Sequence, residues 1–139
     1  MALGLEMNKT AFDLDGVFIP DCDEMPGIGG LREFLALTVY MRPTFRPKGE
    51  WSIITSRPAE HRPITVEWVA RHFENKPQRI WHENLNDAEP WLYKADVINQ
   101  NDINWFIESD FKTVEYLWKN TRANIVHFDG LVNELYLNP

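Results

Sequence analysis

Eight side chains in four short runs carry the groups that could do chemistry. They are Asp13 and Asp15 in "FDLDG", Thr55, Ser56 and Arg57 in "ITSRP", Lys94 in "WLYKAD", and Glu108 and Asp110 in "FIESD". Carboxylates from different strands can share a hard cation such as Mg²⁺, which takes oxygen ligands and keeps several waters. With such a cation crowded acids stay ionised; without it their repulsion raises their proton affinity. A carboxylate is also a nucleophile toward phosphorus. Residues i and i+2 of an extended strand share a side, so Asp13 and Asp15 can flank one phosphoryl group, one attacking while the other handles the leaving-group proton. Gly16 lets the chain turn sharply away behind them. Thr55 and Ser56 offer hydroxyl and backbone donors to phosphoryl oxygens, and Lys94 offers positive charge to the transition state. Arg57 suits either a phosphate or substrate contact or a pairing with a carboxylate.

Each group also has an ordinary reading. Asp-x-Asp-Gly occurs as a solvated turn at strand ends, Thr55-Ser56 can cap the following helix, and Lys94 on an amphipathic helix can be a surface lysine. Glu108 and Asp110 can be the acidic first turn of the next helix. Taken together, in this order and at these places, the functional reading is favoured. The four histidines, His61, His72, His82 and His127, are scattered without metal-ligand spacing and are assigned structural roles.

The elements that must position these groups alternate. Lys9–Leu14 reads as a buried strand, and a helix is expected from about Gly30 to Thr38 on the spacing of Leu31, Phe34, Leu35 and Thr38. Trp51–Thr55 is a second strand, followed by a helix from near Pro63 that carries Ile64, Val66, Trp68, Val69 and Phe73. Gln78–His82 is a third strand, a helix begins around Pro90, and Asn104–Glu108 is a fourth strand. Phe111–Asn120 is a fourth helix and Ala123–Phe128 a fifth strand. This alternation predicts an α/β, three-layer, Rossmann-like domain with a mostly parallel five-stranded sheet. In such a sheet ligands bind beyond the carboxyl ends of the strands, at the switch in strand order. Three of the four runs fall at those ends, and Lys94 lies early in the helix before the fourth strand.

"DLDGV", a strand ending "IITSRP", Lys94, and a strand ending "FIESD" resemble, in all four motifs and in their order, the haloacid dehalogenase superfamily of phosphotransferases. The resemblance spans roughly Lys9 to Asp110. It implies that Asp13 is the nucleophile and Asp15 the general acid/base, that Thr55 binds phosphate, and that Lys94 holds nucleophile and phosphate. It further implies that Glu108 or Asp110 completes a Mg²⁺ site with Asp13 and the Asp15 carbonyl, and that the first strand lies between the second and the fourth. The family's fourth motif usually has adjacent acids, or Gly-Asp with a later Asp; here Ser109 splits them. Val17–Glu50 has room for a flap loop, a helix and an irregular stretch, but not for a large cap domain. The similarity to capless nucleotidases of the superfamily makes a (deoxy)nucleoside monophosphate the expected substrate. Of the aromatics that could stack on a base, Phe18, Tyr40, Phe45, Trp51 and Trp91, Trp51 is expected in the core. A receiver-type phosphoacceptor domain and a binding protein with a vestigial site are the alternatives; the motif order argues against the first, the complete acid–Thr–Lys set against the second.

Composition sets outer limits. The 139 residues suit one domain over the whole length, with 1–8 loosely ordered, and 44% hydrophobic and 13% aromatic residues suffice for a sizeable core. A net charge of −7 weighs against gripping a nucleic-acid polymer, while a small phosphorylated metabolite held by Mg²⁺ stays compatible. The single cysteine, Cys22, rules out an internal disulfide. "MALGLEMNK" is too short and polar for a signal peptide, and no run reaches the ~18 apolar residues of a membrane helix, so a cytoplasmic protein is expected. A homo-oligomer whose partner subunit supplies a cap is left open.

Overall fold

A computed structural model of the chain describes residues 9–21, 30–83 and 89–128. The expected loose start, Cys22, Pro26-Gly27-Ile28-Gly29 and the tail beyond Phe128 lie outside the described residues. The strands are β1 (Thr10–Phe12), β2 (Ser52–Pro58), β3 (Ile80–Glu83), β4 (Trp105–Glu108) and β5 (Asn124–His127). The helices are α1 (Leu31–Thr38), α2 (Arg62–His72), α3 (Pro90–Gln100) and α4 (Phe111–Asn120). The five strands form one parallel sheet in the order β3-β2-β1-β4-β5. The α/β class and the parallel sheet agree with the sequence reading, and β1 does lie between β2 and β4. A receiver-type domain would follow the order 2-1-3-4-5 instead.

Strand alternation sends successive side chains to opposite faces. Ala11, Ile54 and Phe106 pack under α3 and α4 with Ala95, Val97, Ile98 and Leu117. Phe12, Ile53 and Ile107 face the other way, onto Trp68, Val69 and Phe73 around α2. That second layer is aromatic: Phe18 stacks on Phe45 at 4.6 Å and sits 5.5–5.8 Å from Trp51, Trp68 and Phe73. The indole N–H groups of Trp51 and Trp68 donate to the carbonyls of Asn75 and Met41, so burial strands no donor there. Among the described residues there is no large cap domain, and no helix is long and apolar enough to cross a membrane.

Several boundaries move. β1 is shorter than expected because Leu14 already belongs to a tight turn: Val17 and Phe18 N–H donate to the Leu14 carbonyl, and Gly16 N–H donates to Ile19. The expected flap therefore begins as core, with Val17, Phe18 and Ile19 buried. β2 runs three residues further than expected, through a register shift between Ile54 and Pro58. A 3₁₀ turn (Ala59–His61) then separates it from α2, whose N-cap residue is His61 and has no side-chain cap bond. Thr55 and Ser56 therefore do not cap that helix. In α2 it is Thr65, Trp68 and Val69 that are buried, while Val66 faces solvent.

Candidate active site

The register of the sheet brings the acids together. Phe12 pairs with Ile107, so the next residues along, Asp13 and Glu108, are neighbours across the β1–β4 ladder, and Asp13 N–H donates to the Ile107 carbonyl at 2.8 Å. Strand order reverses between β1 and β4, since β3 at one edge is followed by a crossover to β4 on the far side of β1. By alternation Asp13 and Glu108 continue the face of Ala11 and Phe106, under α3. Lys94 comes down from α3, buried among the apolar positions of that helix, and its Nζ lies 3.1 Å from Asp13 Oδ1 and 2.6 Å from Glu108 Oε1. All three residues are at most 5% exposed.

Two carboxylates and one ammonium leave this buried cluster one negative charge in excess when all are ionised. Burial, reinforced by the Glu108 carboxylate beside it, pushes Asp13 well above the usual carboxylate range, with Lys94 pulling the other way. For Lys94, burial would lower the pKa, but the Asp13 and Glu108 carboxylates outweigh it and hold the ammonium above its ordinary range.

Asp15 is answered from within the sheet, by a residue of β2. Arg57 Nε and Nη2 donate to Oδ2 and Oδ1 of Asp15 at 2.9 and 2.7 Å, a bidentate fork. Of the two readings of Arg57, this geometry is the carboxylate pair, although the residue also lines the cleft. Its third arm, Nη1, donates to Thr65 Oγ1 at 3.3 Å, and that oxygen lies 3.0 Å from His82 Nε2. Arg62 Nη1 lies 3.4 Å from His82 Nδ1. A guanidinium only donates, so Nδ1 accepts and Nε2 carries the proton. Burial, with the charges of Arg62, Arg57 and His61, lowers His82 to about 4, which keeps it neutral at physiological pH. His82 thus donates to Thr65 behind Arg57.

Asp13, Asp15, Ser56, Arg57, Lys94 and Ser109 line an open cleft of about 400 Å³. Glu108 and Asp110 border it, and Leu31 and Phe34 of α1 form one wall. Thr55 is buried beneath, its hydroxyl accepting from Arg57 N–H at 3.2 Å, so Ser56 is the member of that pair at the cleft. Glu108 Oε2 accepts the N–H groups of Ser109 and Asp110, at 2.9 and 3.1 Å. Asp110 is exposed, and its Oδ2 accepts from the N–H and hydroxyl of Thr113 at 3.0 and 2.7 Å, an N-cap on α4.

Residues outside the expected set also belong here. Asp21 lines the cleft, and Ser109 Oγ stands 3.3 Å from Asp13 Oδ2 and 3.2 Å from the Asp15 main-chain oxygen. Thr65 and His82 back Arg57. None of the aromatics that could stack on a base lines the cleft. Trp51 is core as expected, Phe18 is core as well, Phe45 packs on Phe18, Tyr40 lies under the Arg71 guanidinium, and Trp91 lies beside Tyr116.

Among the described residues no cluster of three or more His, Cys, Asp or Glu side chains is arranged to hold a metal ion. The oxygens at the switch point still fit a hard cation. One buried carboxylate with a charge in excess, a main-chain carbonyl and a hydroxyl suit Mg²⁺, which binds through few carboxylates and keeps its waters. No protein-family model, curated protein or solved structure matches the chain.

Proposed function

We propose that the protein is a Mg²⁺-dependent phosphohydrolase of the haloacid dehalogenase kind that cleaves a small phosphomonoester through an aspartyl-phosphate. The observation that carries this reading is the position of Asp13, at the switch point of the sheet and the edge of an open cleft, with Lys94 on one oxygen and Asp15 two residues away. In the first step an Asp13 oxygen bonds to phosphorus as the bond to the ester oxygen breaks, and that oxygen takes a proton from the Asp15 carboxyl. In the second step a water gives a proton to Asp15 and attacks the same phosphorus, releasing phosphate and restoring Asp13. Lys94 holds Asp13 in place and offsets charge at the phosphoryl group. Arg57 fixes the plane of the Asp15 carboxylate, and Ser56 offers its hydroxyl and N–H to phosphoryl oxygens. A bound Mg²⁺ supplies charge neutralisation for Asp13 and the phosphoryl oxygens. Asp13 and the Asp15 carbonyl would hold it, together with the turn that ends β4.

The expectation of a nucleoside monophosphate rests on the similarity to capless nucleotidases, and of the aromatics that could stack on its base, Phe18, Tyr40 and Phe45 do not line the cleft. The proposed substrate class is accordingly the small phosphomonoester, with nucleotides one group among several. The test is phosphate release from a panel of phosphorylated metabolites with Mg²⁺, with and without EDTA. Release from at least one compound, abolished by chelator and restored by Mg²⁺, is expected. Absence of release across the panel, or indifference to chelator, would contradict the proposal.

A further inference from the structure

The turn that ends β4 holds two acids and a serine, and both acids already take hydrogen bonds from other groups. Glu108 spends one oxygen on Lys94 and the other on the N–H groups of Ser109 and Asp110. Asp110 caps α4 through Thr113. Ser109 Oγ, by contrast, is within 3.3 Å of both Asp13 Oδ2 and the Asp15 carbonyl oxygen. A hydroxyl has one proton and can donate to only one of them. With Asp13 ionised, the remaining oxygen is left facing a lone pair. Neighbouring oxygens around an octahedral Mg²⁺ stand roughly 3 Å apart, given metal–oxygen distances of about 2.0–2.1 Å. The two separations observed, 3.3 and 3.2 Å, are close to that edge. Gly16 fixes the serine from behind. Its φ is +88°, and a Cβ there would overlap the Ser109 side chain, with the Ser109 Cβ 2.8 Å away.

We propose that Ser109, rather than Glu108 or Asp110, is the β4 residue that meets the divalent cation, as a neutral oxygen ligand beside Asp13 and the Asp15 carbonyl. This rests on the phosphohydrolase reading for the identity of the cation. A single carboxylate with neutral oxygens makes a weak, readily exchanging site, so Ser109 sets the affinity. Tightening would come from the phosphoryl oxygens of the substrate.

Mn²⁺ binding to the metal-free full chain, read by the loss of the free-ion electron paramagnetic resonance signal, tests this without any substrate. Relative to the unmodified protein, Ser109→Asp should bind at least about tenfold more tightly, the effect of a second carboxylate, about 1.4 kcal/mol. Ser109→Ala should bind several-fold more weakly, Asp110→Asn should match the unmodified protein, and Asp13→Asn should lose the site. If Ser109→Asp fails to fold, the contrast between Ser109→Ala and Asp110→Asn decides alone. Binding that is lost in Asp110→Asn, or that is unchanged in both Ser109 variants, overturns the assignment of Ser109 and leaves the phosphohydrolase reading standing. No Mn²⁺ binding by any of these proteins overturns both.

Discussion

Asp13 and Asp15 are two residues apart, yet they are answered by different cations from different elements, one on the helix α3 and one on the strand β2. Asp13 meets a lysine from α3, shares it with Glu108, and is left with negative charge in excess. Asp15 meets an arginine from β2 in a planar two-bond fork, braced behind by Thr65 and His82. An ammonium is a point charge with no preferred plane, whereas a guanidinium fixes orientation as well as charge. The first arrangement therefore controls the charge on a buried carboxylate, and the second the direction of one at the cleft. On the proposed reading these are the needs of a nucleophile and of a group that moves a proton.

Asp13→Asn should separate the two most sharply. Phosphate release should fall at least about a thousandfold, roughly 4 kcal/mol of transition-state stabilisation, because an amide cannot attack phosphorus. In metal-free buffer at neutral pH the same variant should melt higher. The folded pKa of Asp13 is raised, so the folded state binds more protons than the unfolded one above the ordinary carboxylate range. Stability falls with rising pH through that window, and the amide removes the penalty. A variant with normal turnover or a lower melting temperature at pH 7 would break this account of Asp13.

Lys94→Met should come next, now in stability. It leaves Asp13 and Glu108 facing each other in the core without a cation, at a cost of about 3–5 kcal/mol in denaturant unfolding. Arg57→Lys keeps the charge and loses the fork, so it should cost about 1 kcal/mol or less in stability while lowering kcat about tenfold or more. If the arginine variant were the less stable of the two and fully active, the contrast between the sites would collapse.

The brace behind Arg57 should show itself only as a pH dependence. His82 is lowered to about 4 from an ordinary 6.5, so its contribution is complete above the ordinary value and is lost as pH falls from there toward 4. That loss should be on the order of 2 kcal/mol by pH 4, and His82→Gln should flatten the decline measured by urea midpoints between pH 7 and 4. An unchanged slope would show that His82 is not the group responsible.

Much of this was legible before the fold was known, for identifiable reasons. Asp13 and Glu108 sit where the period-two pattern places strand ends, whereas Lys94, which its helix alone would leave at the surface, stands out only by its place in the order of motifs. Arg57 was ambiguous because its partner depends on the extra length and register shift of β2, which leave no mark in local sequence. Ser109 was noticed as an interruption between acids, since a lone serine carries no charge or periodic signal. Phe18 was misjudged because the turn at Gly16 folds the following residues into the core, a tertiary outcome.

The central claim is that Asp13 becomes phosphorylated during turnover. In the Asp15→Asn protein the water that clears the intermediate has lost its base, while an aryl phosphate, whose leaving oxygen departs without protonation, bypasses the acid lost from the first step, so a phosphoryl group should accumulate on the nucleophile. After incubation with an active aryl phosphate and acid quench, mass spectrometry of proteolytic fragments should find the adduct on Asp13, with none in the Asp13→Asn protein. An adduct on a different residue, or Asp13 unmodified while the unmodified protein turns over the same compound, would contradict the account.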